Sequence, residues 1–193
     1  GQVRDDTGNQ NNRFQVAACI NRKTTGGLGP FYGHPRGIRE EGLSRTQRGL
    51  FSYPVRTREG VLLSRLRHCD RLAGAATPWF LYGGPNSVGG QAITGIPRVA
   101  ELQRRFREAV KIWPLETGPL WGPANGAEAI LAEVYPSLVG VSVVSGQVKD
   151  QAQVVELARL LCALDADGRL LSLLHAPRAF PESWQEEGWI LGV

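Results

Sequence analysis

Glycine and proline recur every few residues over 24–60, and this stretch limits what the chain can fold into more than any other. Glycine weakens helices and strands, and proline removes a backbone donor, so neither element can propagate here. The pattern therefore predicts a long loop, and loops of this length are more often functional or disordered than simple connections. Four aromatic residues argue against complete disorder, because aromatic side chains generally find packing partners. They are Phe31, Tyr32, Phe51 and Tyr53.

Basic charge is concentrated in the first 111 residues of the chain. This part carries 18 basic and 8 acidic residues, whereas 112–193 carries 4 and 10. Nine arginines lie within 36–71. One interpretation is a solvated arginine surface without any function, since a genomic base composition that favours arginine can produce it. The alternative is a face that binds phosphate groups. The candidate phosphate-binding residues of this basic loop and the stretch after it are Arg36, Arg39, Arg45, Arg48 and Arg65.

The length and composition favour one ordinary domain over 1–193. The chain has no run of about 18 apolar residues and no apolar segment of a signal peptide near Gly1, so we expect a cytoplasmic protein without a membrane span. Three scattered cysteines do not form a disulfide framework or a CxxC metal site. Methionine is absent, which fits removal of the initiator and fits equally a chain that begins inside a longer product.

Apolar periodicity predicts three helices in the first two thirds of the chain. The first covers 12–23, with Asn11 or Asn12 as its cap, and the second is a basic amphipathic helix over 61–73. The third begins at Pro97 and follows a glycine-rich loop that carries Ser87 and Gln91. Glycines before a helix can cradle a phosphate, but this loop matches no known phosphate-binding motif, so a structural turn is favoured.

Residues 77–193 are expected to form an α/β core. The best strand candidates are 111–113 and 128–134, and the second of them is apolar on both faces, as in a sheet that helices cover. A helix over 150–164 is the most secure element, with its end marked by Asp167 and Gly168. The apolar C-terminal residues 188–193 are expected to pack inside.

Glu133 and Asp150 are the candidate catalytic carboxylates. Glu133 lies near the end of a predicted strand, where open α/β sheets place their ligands, and Asp150 lies at the start of the next helix. Two such acids can share one Mg²⁺, with Lys149 beside them to meet a phosphate. The alternatives are an ion pair or simple exposure for Glu133, and helix capping by Asp150. Two-ion phosphodiester hydrolysis needs more acids than these two.

Neither the histidines nor the serines form a recognisable catalytic motif. His34, His68 and His175 show no metal-ligand spacing, and we interpret them as surface or packing residues. No GxSxG sequence is present, which argues against acyl chemistry.

Seven segments occur in an order that resembles one uncharacterised bacterial family. They are NNRFQVA, GPFYGHP, NSVGGQAITGIP, IWPLE, AEVYPSL, VKDQAQV and EEGWILGV. The family is a domain-of-unknown-function group with a predicted ribonuclease-H-like fold, and some members carry molybdopterin-guanine-dinucleotide or cobalamin-biosynthesis labels. The resemblance covers nearly the whole chain. It implies that Glu133 and Asp150 are the acids of the second half of the fold. Asn12, Arg13, Ser87 and Gln91 are further candidate ligand-binding residues.

The beginning of the chain departs from this family. Such proteins open with two strands that carry Asp-Trp-Ser-like and Asp-Phe-Pro-like segments, and neither appears before Asn11. The chain therefore resembles the C-terminal two thirds of such a protein. If so, the missing strands and acids come from another protein chain, or the site is inactive.

The sequence therefore predicts a partial ribonuclease-H-like α/β sheet flanked by helices, with a long Gly/Arg-rich loop. Its expected function is to bind a phosphate-containing ligand or nucleic acid. If the chain is also a Mg²⁺-dependent phosphodiesterase, we expect another chain to complete the site. The alternative is a non-catalytic interaction or assembly subunit in which Asp150 only caps its helix.

Overall fold

The computed structural model describes residues 3–8, 10–84, 87–119, 126–140, 148–175 and 182–193. Within these residues the chain combines helices with small sheets, which confirms the α/β class. The helices are α1 (Arg13–Thr24), α2 (His68–Ala73), α3 (Gly89–Phe106), α4 (Lys149–Ala166), α5 (Leu170–Leu173) and α6 (Trp184–Glu187), and the strands are β1 (Val55–Arg56), β2 (Leu62–Leu63), β3 (Val110–Ile112) and β4 (Ala129–Leu131).

Internal contacts divide the chain into two compact units. The N-terminal unit consists of Gly1–Asp70 and Ala76–Arg104, and the C-terminal unit consists of Arg71–Ala75 and Arg105–Val193. The predicted basic loop belongs to the first unit, and the predicted acids Glu133 and Asp150 belong to the second. Folding of 1–193 as a single cooperative domain stays a prediction.

The core of the N-terminal unit forms around α1. The sequence predicts an apolar stripe of Phe14, Ala17, Ala18 and Ile20; the first three are buried and Ile20 is half-buried. The structure adds Asn21 to the same buried face. Apolar residues from the basic loop, from 79–81 and from α3 complete this core. They are Phe31, Leu43, Leu81 and Ile93, with Trp79 partly buried against them.

Local hydrogen bonds order the segment 24–60, and its description as one long Gly/Arg-rich loop stays a prediction. Turns follow one another along it, and its only regular strand within the described residues is the two-residue β1. Three aromatic rings pack in series along this loop: Tyr32 lies edge-on to Phe51 at 6.1 Å between ring centroids, and Phe51 lies edge-on to Tyr53 at 5.7 Å. The Tyr53 hydroxyl donates to the Pro30 carbonyl at 2.6 Å.

The predicted helix over 61–73 is wrong in its first half. Residues 62–63 form β2, which pairs antiparallel with β1 so that Val55 opposes Leu63. Only His68–Ala73 is helical, because the buried Asp70 carboxylate accepts from the Arg67 backbone at 2.9 Å and from its guanidinium at 2.8 Å. The bond from the Arg67 backbone satisfies an N–H group that has no partner within the helix, and it fixes where α2 begins.

The predicted helix start at Pro97 is also wrong, because α3 begins at Gly89 and Pro97 lies inside it. The Gly89 backbone donates to the Phe80 carbonyl at 2.9 Å, and Ile93 is buried in the core of the N-terminal unit. These contacts hold the first turn of α3, which precedes Pro97 in the helix. The spacing of Val99, Leu102, Phe106 and Val110 predicts a helix side that faces a core, but the first three are exposed and Val110 lies in β3.

The C-terminal unit contains the two predicted strands as a parallel pair, with Val110 opposite Ala129 and Ile112 opposite Leu131. The expectation that the second strand is covered on both faces is wrong, because Ala129 is exposed and Ile130 and Leu131 are half-buried. The predicted burial of the C-terminal residues is confirmed: Ile190 forms a bridge with Glu133 and is 1% exposed.

The predicted helix over 150–164 is confirmed as α4, which ends at Ala166 before Gly168 with its left-handed φ of 68°. The alternative that Asp150 caps this helix is wrong, because the cap residue is Val148, without a side-chain capping bond, and the Gln153 amide donates to Ser137. Ala152 is the buried residue of α4. The residues predicted for its buried side fare differently: Leu157, Leu161 and Leu164 are half-buried, whereas Val154 and Ala158 are exposed.

Candidate functional site

Asn21 holds the glycine- and proline-rich loop in place. Its side chain is fully buried, and its amide nitrogen donates to the carbonyl oxygens of Phe31 at 2.9 Å and Gly42 at 2.8 Å. Its amide oxygen accepts from the Phe31 backbone at 2.9 Å. Because one rigid helix residue satisfies three loop groups, two separate segments of the loop are fixed to α1.

Tyr32 then brings three segments of the chain together. Its backbone donates to the Trp79 carbonyl at 3.0 Å and its carbonyl accepts from Leu81 at 2.9 Å. On the loop side, the Gly33 backbone donates to the Ser44 carbonyl at 2.9 Å. Residues 32–36, 44–46 and 80–83 therefore meet, although the sequence separates them widely.

These three segments enclose an open cleft of about 660 Å³. This aromatic-basic cleft combines aromatic rings with two arginines, and none of its lining residues is acidic. Neither Arg36 nor Arg45 has an ion pair or side-chain hydrogen bond within the described part of the chain. The lining residues are Tyr32, His34, Pro35, Arg36, Arg45, Thr46, Phe80, Tyr82 and Gly83.

Two further lining residues present polar atoms. His34 Nδ1 lies 2.9 Å from the Pro35 carbonyl oxygen, which can only accept, so this nitrogen carries the proton. The Thr46 hydroxyl accepts from the Arg48 backbone at 3.2 Å, which holds the turn that follows Arg45.

The structure separates the other predicted arginines from this cleft. Arg39, Arg48 and Arg65 are exposed on the N-terminal unit but do not line the cleft. Arg65 lies close enough to the Tyr53 phenol to lower its pKa, against a larger rise caused by burial. Of the five candidate phosphate-binding arginines, the cleft therefore brings together Arg36 and Arg45.

Arg13 and Asn12 lie at the start of α1 and are held by local contacts. The Arg13 guanidinium bonds the Asn11 side chain at 2.9 Å and lies over the Phe14 ring at 4.6 Å from the centroid. The Asn12 side chain accepts from the Arg4 backbone at 2.8 Å. A side chain at Gly90 would approach Arg13 Cδ to 3.3 Å, so the starts of α1 and α3 are adjacent.

Ser87 and Gln91 take part in the first turn of α3 rather than in an open loop. The Ser87 hydroxyl donates to the Gly84 carbonyl at 2.9 Å. In the orientation that satisfies its amide, Gln91 donates to the Ser87 carbonyl at 3.0 Å. These bonds engage the side-chain donors of Ser87 and Gln91 within the segment itself, which favours its structural-turn interpretation.

The two predicted catalytic acids lie in the C-terminal unit. Glu133 follows β4 by two residues, its side chain is exposed, and its carbonyl accepts from the Leu191 backbone at 2.8 Å. Asp150 and Lys149 are exposed in the first turn of α4. An acid at this position is favoured by the helix dipole, with or without a catalytic role.

The residues that the structure describes do not form a complete metal site. Among them, no group of three or more histidine, cysteine, aspartate or glutamate side chains converges. Glu133 and Asp150 alone supply fewer carboxylates than two-ion hydrolysis requires. A Mg²⁺ site at these residues therefore stays a proposal.

Sequence reasoning missed Asn21 and the aromatic side of the cleft. The spacing of Phe14, Ala17 and Ala18 places Asn21 on the same helix face, so a polar residue on an apolar stripe was the available sign of a buried hydrogen-bonding role. Tyr32 was predicted only to pack and Phe80 was not singled out, because their meeting depends on pairing between distant segments.

Comparisons of the chain with protein-family models, with curated proteins and with solved structures gave no match. No helix in the described ranges is both long enough and apolar enough to cross a membrane.

Proposed function

We propose that the chain binds a phosphate-containing ligand, nucleic acid above all, through the aromatic-basic cleft of its N-terminal unit. The observation that carries this proposal is that Arg36 and Arg45, from two separate turns of the basic loop, line one cleft without an acidic neighbour in its lining. Arginine presents planar donors that match the oxygens of a phosphate, and no described carboxylate already occupies them.

The surrounding charge supports the same proposal. Further exposed arginines occur along the loop and after it, so a polyanion that enters the cleft meets additional positive charge on the N-terminal unit. A protein that neutralises several phosphates releases counterions, and its affinity then falls steeply with salt. Salt dependence is therefore the property to measure.

Binding of fluorescent oligonucleotides, followed by anisotropy over a series of NaCl concentrations, tests this function. We expect a steep loss of affinity with salt, and a salt slope that falls by about 1 in Arg36→Gln and in Arg45→Gln. Arg98→Gln is the matched control, because Arg98 is exposed on α3 outside the cleft and already pairs with Glu101 at 3.0 Å. Absent binding, or binding that is indifferent to salt, contradicts the proposal.

We extend the proposal to a ribonuclease-H-like arrangement in which Glu133, Asp150 and Lys149 contribute to a Mg²⁺-dependent phosphodiesterase completed by another chain. Its support is the parallel pair of β3 and β4, with Glu133 just after the second strand. Binding of Mn²⁺, followed by its electron paramagnetic resonance, should weaken in Glu133→Gln and Asp150→Asn. Asp165→Asn, at the other end of α4, is the control. Equal ion binding in all variants contradicts the catalytic extension.

A second candidate function, a non-catalytic assembly subunit, is favoured by the exposed apolar residues of the C-terminal unit. Val154 on α4 is 61% exposed, and Leu160 and Leu138 are exposed as well. Burial of such side chains against another protein is favourable by about 25 cal/mol per Å². Sedimentation equilibrium should show association that Val154→Glu abolishes, and a chain that stays monomeric at all concentrations contradicts self-assembly.

A further inference from the structure

The aromatic side of the cleft is rigid. The rings of Tyr32 and Phe80 stack at 5.1 Å between centroids with an angle of 23° between their planes. Gly33 and Gly83 pack against the Phe80 ring so closely that a Cβ atom at either position would approach it to 2.7 and 2.9 Å. The backbone therefore holds Phe80 from two sides, and the aromatic wall is formed before any ligand arrives.

Tyr82 is an exposed aromatic residue among those that line the cleft. The residue is 48% exposed. Its one aromatic contact among the described residues is edge-on to Phe14, at 6.5 Å between centroids and 80° between planes. An edge-on contact covers at most one face of the ring, so at least one face of Tyr82 has no aromatic partner.

An exposed aromatic face beside two arginines matches the chemistry of an unpaired nucleotide. The base of such a nucleotide stacks on an aromatic ring, and its phosphate bonds to guanidinium groups. In a duplex the base faces are already stacked on their neighbours, so a double strand offers the cleft only its phosphates. The cleft volume of about 660 Å³ lies in the range of small-ligand sites.

We propose that the aromatic-basic cleft holds an unpaired nucleotide of a single-stranded nucleic acid, with its base stacked on Tyr82 and its phosphate bound by Arg36 and Arg45. This inference rests on the proposed phosphate-binding function and adds the kind of strand that is bound. Arginines beyond the cleft favour a strand over a free nucleotide, because the adjoining phosphates of a strand reach them.

The test uses the intact chain and three labelled oligonucleotides: a single strand, the same strand with abasic positions throughout its centre, and a blunt-ended duplex of the strand with its complement. We expect the abasic strand and the duplex to bind roughly 5- to 100-fold more weakly than the intact strand. This comparison needs no protein variant, so it does not depend on whether a substitution folds.

Protein variants then assign the stacking to Tyr82. Tyr82→Phe should retain the preference for the intact strand, whereas Tyr82→Leu should bind intact and abasic strands equally. Phe106→Leu removes an exposed aromatic residue of α3 outside the cleft and should change nothing. Circular dichroism of Tyr82→Leu checks that its fold is retained.

Three results separate the possible failures. Equal affinity for the intact strand, the abasic strand and the duplex overturns the stacking inference and leaves the phosphate-binding function standing. Absent binding of every oligonucleotide overturns the phosphate-binding function itself. Full competition by a free mononucleotide at the concentration of the strand overturns the single strand as the occupant.

Discussion

The backbone of Phe31 and the side chain of Asn21 bond each other in both directions, with each of the two hydrogen bonds 2.9 Å long. The same amide nitrogen also donates to Gly42. A carboxamide can donate and accept at the same time. The Asn21 side chain therefore bonds both the N–H and the carbonyl of Phe31, as the backbone of a neighbouring strand would. The cleft depends on this pair, because Phe31 immediately precedes Tyr32.

Asn21→Ala should lower the free energy of unfolding by about 3 kcal/mol or more, because each buried backbone group left without a partner costs roughly 1–3 kcal/mol. Asn21→Asp should cost at least as much, since its carboxylate faces two carbonyl oxygens. Urea unfolding measures both. Gln15→Ala, on the exposed side of α1, is the control and should stay within about 0.5 kcal/mol. If Asn21→Ala stays in that range too, Asn21 does not hold the loop.

Two buried hydroxyls differ in whether they are satisfied. The Ser44 hydroxyl has no hydrogen-bond partner in the described structure, whereas the Thr77 hydroxyl donates to the Arg65 carbonyl at 2.8 Å. Ser44→Ala should therefore be neutral or stabilising, and Thr77→Val should destabilise by about 1 kcal/mol or more. Thermal unfolding of the two variants compares them directly. Equal destabilisation by both substitutions contradicts this explanation.

Gly33 and Gly49 both have left-handed φ angles, of 91° and 77°, but only Gly33 is enclosed. A Cβ atom at Gly33 would lie 2.7 Å from both the Phe80 ring and the Tyr82 carbonyl, whereas at Gly49 it meets nothing within 4 Å. Gly49→Ala should therefore cost only the backbone strain, about 1 kcal/mol. Gly33→Ala should cost several times more and should abolish oligonucleotide binding. Urea unfolding and anisotropy measure the two effects, and equal costs exclude a close contact at Gly33.

Local periodicity was sufficient to predict α1, α4 and the parallel strands. In each, the apolar residues repeat at the period of one element, and glycine or proline marks an end. The buried side of α4 was predicted less well, because the spacing of apolar residues gives a face and does not say what covers it. Val154 lies on the predicted face and is exposed.

The predictions failed, and the cleft went unrecognised, where contacts between residues far apart in the sequence determine the structure. The spacing of Leu62, Leu66 and Cys69 fits a helix, but pairing of Leu63 with Val55 makes its beginning a strand. The cleft likewise depends on the bridges from Tyr32 to Ser44 and Phe80. Composition identified Arg36 and Arg45 as part of a basic stretch. Only these pairings between distant segments show that these two arginines, and not the other candidates, line the cleft.

The Tyr53 phenol predicts how the N-terminal unit responds to alkaline pH. Burial raises the pKa of this group above its usual value of about 10, Tyr32 adds to the rise, and Arg65 opposes it. Above about pH 10 the unfolded chain releases the proton that the folded chain still holds, so the stability from this group is complete below about pH 10 and is lost as the pH rises further.

Unfolding free energies measured in urea between about pH 8 and 11 test this expectation. Tyr53→Phe should lose about 1 kcal/mol at the lower pH, because the bond to the Pro30 carbonyl is removed. The difference between the two proteins should shrink as the pH rises, since a phenylalanine side chain cannot ionise. A difference that is constant over this range contradicts the raised pKa.

Two glycines of α3 should respond in opposite directions to alanine. Gly95 is exposed inside the helix, where a Cβ atom meets nothing within 4 Å, so Gly95→Ala should stabilise by about 0.5–1 kcal/mol through helix propensity. Gly89 begins the helix, and a Cβ atom there would lie 2.6 Å from the Pro78 carbonyl and 2.9 Å from that of Phe80. Gly89→Ala should therefore displace the residues that form the aromatic wall.

Thermal unfolding should show a higher midpoint for Gly95→Ala and a lower one for Gly89→Ala, and oligonucleotide affinity should fall only in Gly89→Ala. A stabilising Gly89→Ala contradicts the start of α3 at this residue.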